Sequence, residues 1–171
     1  MDRTAYTETA GPLGVLNDAV SIPPELSEAA CGLFFGHAGD VVSQEMGFNC
    51  EIYSAVGTVP LHFDEYFDPG AEGFCAMALV LVNDGDFCLT DGANILPIPA
   101  GSVFRHDPCG LHGTCRPDGS TKPDGRLVFL SVDFDLSRDP EDDPTHFAQW
   151  ALEDAMEKLR VHTAVDSKLV G

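Results

Sequence analysis

Basic residues are scarce in this chain. Its 171 residues include 9 Lys and Arg against 28 Asp and Glu, a formal net charge of −19. Nucleic-acid binding depends on a positive footprint that neutralises phosphates, so the composition argues against a nucleic-acid partner. Long apolar stretches are absent as well. The run FCAMALVLV at residues 74–82 falls far short of the ~20 residues that a helix needs to cross a bilayer. The segment MDRTAYTETAGPLG at residues 1–14 lacks the basic-then-apolar order of a secretory signal, and the expectation is a cytoplasmic protein away from membranes. The six cysteines, at 31, 50, 75, 88, 109 and 115, form no Cys-x-x-Cys pair. They are expected to be small buried residues rather than disulfides. There is no Gly-x-Ser-x-Gly elbow, phosphate loop or dinucleotide fingerprint, which removes the usual footholds for nucleophilic hydrolysis and nucleotide binding.

What remains is ordinary for a globular chain, with 44% apolar and 22% charged residues. The length suits a single domain: an N-terminal extension over 1–45, a core over 46–136 and a C-terminal piece over 137–171. The acidity fits a solvated surface, a saline setting or a cationic substrate. Ser21 and IPPELSEAACGLFFG predict a helix over 24–35, with proline in its first turn, Glu25 and Glu28 near its positive end and Gly36 as a stop. From residue 48 the period becomes strand-like. Candidates fall at 48–56, 58–66, 74–82, 86–90, 94–98, 102–106, 111–115 and 126–134, with a hairpin signal in NDGD at 83–86. Short strands at this spacing argue for a sandwich or barrel. A last helix is predicted over 144–161, its stripe of Ala148, Ala151, Leu152, Ala155, Met156 and Leu159 packing on the barrel or forming a dimer contact.

The chemistry concentrates in PLHFDEY, residues 60–66. On an extended segment His62 and Asp64 project from one side and Phe63 from the other, so an imidazole and a carboxylate can converge on one ion. His112 lies downstream in GLHGT, and Arg126 opens the run RLVFLSVDF. Two histidines and a carboxylate that leave coordination positions open form the ligand set of non-haem Fe(II) oxygenases.

Over residues 48–135 this arrangement resembles the Fe(II)/2-oxoglutarate-dependent dioxygenase superfamily, whose pattern is His-x-Asp, a distal His, and an Arg some ten to fifteen residues further on. The resemblance implies a mainly β fold, a double-stranded β-helix or jelly roll, with the short N-terminal helix and the C-terminal helix packed outside. It implies His62, Asp64 and His112 as ligands of a catalytic iron. It also implies that Arg126 pairs with the distal carboxylate of 2-oxoglutarate, as a guanidinium fork can. Tyr53 and Asn49 are further candidates for cofactor contacts. The implied activity is hydroxylation of a small molecule or peptide side chain, with succinate and CO2 as co-products, by a monomer or homodimer. One departure stands out: where many members have Arg-x-Ser, residue 128 is valine, and the second anchor for the keto acid is unassigned.

Four alternatives accompany this reading. His106 and Arg116 form a shifted version of the His112 and Arg126 pair. His106, Cys109, His112 and Cys115 recur every third residue and could form a zinc site. PIPAGSVFRH at 97–106 is similar to the Pro-x-Gly motif of cupins, which use the same barrel for metal-dependent oxygenase or isomerase chemistry without 2-oxoglutarate. A barrel that only binds a ligand would leave the triad as ordinary polar groups. Substrate contacts are expected from the loops 36–47, 66–73 and 116–125, and the acidic segment 63–73 suggests a basic substrate.

Overall fold

The structure, a computed structural model, describes residues 14–15, 21–32, 41–47, 50–64, 74–106, 110–135, 150, 153–154 and 157. Within these lie β1 (Gly14–Val15), α1 (Pro24–Gly32), β2 (Val41–Gly47), β3 (Cys50–Val56), β4 (Phe74–Asn83), β5 (Cys88–Thr90), β6 (Ile95–Pro97), β7 (Val103–His106), β8 (Gly113–Cys115) and β9 (Arg126–Asp135). Residues 150, 153, 154 and 157 are helical; the rest of the helix expected over 144–161, and with it any packing on the barrel, falls outside the described residues, as does Asn49.

The larger sheet has the order β1-β7-β4-β9-β3-β2 and the smaller β6-β5-β8. Residues 59–62 widen the smaller sheet. His62 and His112 exchange backbone hydrogen bonds of 2.8 and 3.0 Å, and the Thr114 N–H donates to the Val59 carbonyl at 2.9 Å. From β3 onward the chain therefore passes between the two sheets in turn, with β5 and β6 as the one consecutive pair within a sheet. All pairings are antiparallel. This strand order is that of a jelly roll, a mainly β double-stranded β-helix.

Side-chain alternation sorts each strand into an inner and an outer face. Leu127 of β9, Ala78 and Val80 of β4, Phe104 of β7, and Phe87, Leu89 and Ile98 from the smaller-sheet side make one buried cluster, with Leu96 and Phe129 packed against it. These residues fill the space between the sheets. Register then assigns their partners: Tyr53 lies opposite Phe129, Ala55 opposite Leu127, and Glu51 opposite Ser131, all on the inner face. The outer face of the larger sheet is apolar too, with Ile52, Leu79, Val103, Val128 and Leu130 buried. Leu26 and Ala30 of α1 are buried as well, the Ser27 hydroxyl donates to the Leu81 carbonyl at 3.3 Å, and α1 packs against β4. Burying Leu26 alone is worth about 1.5–3 kcal/mol.

Two devices close the lower end of the barrel. At Gly57, with φ of 70°, the chain turns from β3 into the smaller sheet, and a Cβ there would lie 2.6 Å from the Lys122 carbonyl oxygen. The Asn83 amide donates to the carbonyls of Phe87 and Ile98 at 2.9 and 2.8 Å and accepts from the Phe87 N–H at 2.9 Å. One side chain thus satisfies three backbone groups that no ladder pairs. Asn83→Asp keeps the shape but loses both donations and sets a carboxylate against two carbonyls. It should lower stability by roughly 2–4 kcal/mol, read as a fall in the urea midpoint with an unchanged slope.

Candidate metal centre

The upper end of the barrel carries the polar groups. His112 is directly opposite His62 in the bridge, and Thr114, two residues on, pairs with Leu89 of the inner cluster. Both imidazoles therefore face inward, and Asp64 follows His62 by alternation. His62 Nε2 lies 3.5 Å and His112 Nε2 3.6 Å from the same Asp64 Oδ1, and one ligand atom from each of the three falls within 4.8 Å of the others. The rings of His62 and His112 sit 4.4 Å apart, tilted by 54°.

The remaining ring nitrogens define the chemical state. His62 Nδ1 is 2.8 Å from the Pro60 carbonyl and His112 Nδ1 is 2.9 Å from the Gly110 carbonyl. A carbonyl only accepts, so each Nδ1 carries the proton, and in the neutral imidazole each Nε2 presents a lone pair. Both Nε2 atoms are turned toward one carboxylate oxygen, an arrangement that a shared cation would satisfy. Carbonyls in this position fix tautomer and ring orientation for metal-binding histidines generally. The two separations from Asp64 are close to the ~3.0–3.5 Å edge between ligand atoms that share an ion at about 2.1 Å. The residues fit a first-row divalent metal.

The ligands differ in exposure. The His112 side chain is 10% exposed, Asp64 31% and His62 40%, so the centre opens on the His62 side. Leu61, Phe63 and Leu111 are exposed beside it, while Phe129, stacked on Tyr53 at 5.2 Å and edge-on to Phe104 at 5.4 Å, lies in the wall below. Tyr53 thus belongs to the inner face; its ring packs against an aromatic neighbour.

Arg126 is placed differently from expectation. It precedes Leu127 of the inner cluster and so projects to the outer face of the larger sheet, where its guanidinium donates to the Cys31 carbonyl. Cys31 belongs to the last turn of α1, a turn with no basic residue of its own. Arg126 therefore supplies, from β9, the cation that the carbonyl end of a helix favours. Its backbone N–H meets the Asp84 carboxylate, and its carbonyl accepts from the Asp84 N–H at 3.0 Å. Arg126→Gln is expected to cost about 1–2 kcal/mol of stability and to leave metal affinity at the triad unchanged, as thermal denaturation and calorimetric titration would show.

The other candidates fare as follows. Arg116 is exposed in the turn after β8, where its N–H pairs with the Ser120 carbonyl at 2.9 Å. His106 ends β7, opposite Ala76. Cys109 lies outside the described residues. Cys115 is three residues from His112 and faces the other side of β8, so the two do not share a site. Cys31, Cys88 and Cys115 are free. Burial pushes the Cys88 and Cys115 thiols above their usual range, which keeps them protonated and poor metal ligands. Among the described residues no Lys or Arg faces the barrel interior: Arg105 projects outward beside Phe104, Lys122 lies 3.9 Å from Asp124 in the loop before β9, and Arg126 serves α1. A 2-oxoglutarate molecule reaching down from the triad would meet Phe129, Leu89 and Leu127, with no described cation for its distal carboxylate. Among the described residues, therefore, nothing pairs with that carboxylate as Arg126 was expected to.

No protein-family model matches the chain, and no curated protein sequence matches it. Solved structures with a similar course include EvdMO1, at 19% identity and a TM-score of 0.34, covering 65% of this chain and 30% of that one. A second is an RmlC-like cupin protein from Desulfovibrio desulfuricans, at 18% identity and a TM-score of 0.37, covering 68% of this chain and 92% of that one. A third is SnoN, a non-heme alpha ketoglutarate dependent epimerase from nogalamycin biosynthesis, at 17% identity and a TM-score of 0.36, covering 66% and 53%. This chain thus spans under a third of EvdMO1 and about half of SnoN. The fold assignment stands on the strand order itself.

Proposed function

We propose that the protein is a mononuclear iron enzyme, an oxygenase that holds Fe(II) at His62, Asp64 and His112 and operates without 2-oxoglutarate. The observation that carries this reading is the convergence of two Nε2 atoms on one carboxylate oxygen, with each Nδ1 held by a backbone carbonyl. Two nitrogens and one oxygen on one side of an ion are the donor set of non-haem iron sites with open positions. Bound Fe(II) supplies redox chemistry and Lewis acidity toward a substrate oxygen. The chain does the rest. Pro60 and Gly110 hold the imidazoles in place through their carbonyls, the half-exposed His62 side admits the substrate, and the plug of Phe104, Phe129, Leu89 and Leu127 keeps water from the barrel below.

The test is an anaerobic titration of the apo-protein with Fe(II), followed by 2-oxoglutarate. One equivalent of Fe(II) should bind, and the keto acid should produce no visible charge-transfer band. Failure to bind Fe(II) would overturn the metal reading. A band on adding 2-oxoglutarate would restore the keto-acid-dependent dioxygenase that the His-x-Asp, His and Arg pattern resembles.

A further inference from the structure

The triad occupies one wall of the barrel mouth; the wall across from it belongs to β3 and β9. The chain turns at Gly57, so Glu51, six residues before the turn, stands level with His62 and Asp64, five and seven residues after it. Glu51 shares the inner face with Tyr53, whose ring stacks on Phe129. It lies directly opposite Ser131, a buried hydroxyl on β9. Facing sheets stand about 10 Å apart, which leaves room for a small organic group between this carboxylate and the metal ligands. Glu51 is not among the residues whose ligand atoms converge with His62, Asp64 and His112. It is a half-buried acid on the inner face, outside the set of ligand atoms that converge.

We propose that Glu51 is the specificity-determining residue of this site, pairing with an ammonium or guanidinium group of the substrate while the metal acts on the far end of the same molecule. The inference rests on the metal-site reading above and adds the substrate class to it. Three observations converge. No described Lys or Arg faces the interior, so no described ammonium or guanidinium there competes for the carboxylate. Asp64 is engaged with the two imidazoles. The net charge of −19 raises the local concentration of cations and disfavours anionic substrates. A carboxylate beside the Ser131 hydroxyl and above an aromatic wall suits a cationic head on a short apolar chain.

The experiment uses Co(II)-loaded protein with two probes of equal length, n-hexylammonium and 1-hexanol, followed by calorimetry and by the Co(II) d–d absorption. The wild type should prefer the ammonium by roughly tenfold or more, the value of one charge-assisted hydrogen bond. Glu51→Gln should abolish that preference at unchanged Co(II) affinity, and Glu51→Lys should reject the ammonium. Ammonium bound to the acidic exterior would survive in both variants, so a preference retained in Glu51→Gln overturns the proposal. A loss of Co(II) affinity in Glu51→Gln overturns it too, by making Glu51 a ligand. If the wild type binds no Co(II), the metal reading fails by itself, and calorimetry of both probes on the metal-free wild type and Glu51→Gln still decides the role of Glu51.

Discussion

His112→Ala lowers Fe(II) affinity by more than about 100-fold, because losing a direct ligand should exceed the 10–100-fold typical of losing an outer partner of one. Its effect on the fold is smaller. His112 contributes to the ladder through its backbone, exchanging N–H and carbonyl with His62, and an alanine keeps both bonds. Asp64→Ala should match the affinity loss, since Asp64 Oδ1 is the point shared by the two Nε2 atoms. Asp64→Asn is the sharper control: it preserves shape and removes the charge that two neutral imidazoles leave to balance the ion. Anaerobic calorimetry with circular dichroism on the same samples separates affinity from folding. Parallel losses of structure and metal would contradict a triad whose side chains serve the ion and not the ladder.

Gly113→Ala reaches the same centre through the backbone. A Cβ at residue 113 would lie 2.8 Å from the Val59 carbonyl oxygen and 2.9 Å from that of Pro60, and backbone atoms cannot swing aside as a side chain would. The segment carrying His62 must separate from β8, which weakens the Thr114 to Val59 bond and the His62 to His112 bridge. Overpacking and lost ladder bonds together predict about 3 kcal/mol of destabilisation, a fall in Tm of roughly 6–12 °C for a chain of this size. Metal binding should be lost with it, although no ligand is altered. By contrast Gly119→Ala meets only the end of the Ile95 side chain at 3.5 Å; with φ of 80° it is strained locally and should leave metal affinity intact. Equal metal affinity in Gly113→Ala and wild type would mean that the 59–62 pairing does not position His62.

The strands of the barrel were legible because each buries at least one face, and burial forces either alternation or a continuous apolar run. Within FCAMALVLV, residues 77–81 are buried on both sides of β4, as a continuous apolar run predicts. The edge strands of the larger sheet were not legible. VVSQEMG forms β2 at the end of the larger sheet, where one neighbour suffices and polar residues are tolerated, and β1 is two residues long. The segment 36–47 was expected as a substrate loop; its second half is instead sheet. His62, Asp64 and His112 could be brought together from spacing because alternation and antiparallel pairing are both simple geometric rules. Arg126 shows where such rules stop. Its position at the start of β9 was readable, but its face depends on whether Arg126 or Leu127 points inward, and an apolar run such as RLVFLSVDF leaves that parity open. The absence of a basic residue in the last turn of α1 was the available signal that a cation must arrive from elsewhere. Glu51 belongs to the same alternate set of FNCEIYSAV as Asn49 and Tyr53, which the sequence singled out; the register of Ala55 with Leu127 places that set on the inner face.

X-ray absorption at the iron edge, on protein loaded anaerobically with one equivalent of Fe(II), tests the central claim most directly. The account predicts one ion per chain, a first shell of nitrogen and oxygen only, and outer scattering from two imidazoles that falls to one in His112→Ala. Sulfur in the first shell, or an imidazole contribution unchanged by His112→Ala, would contradict it.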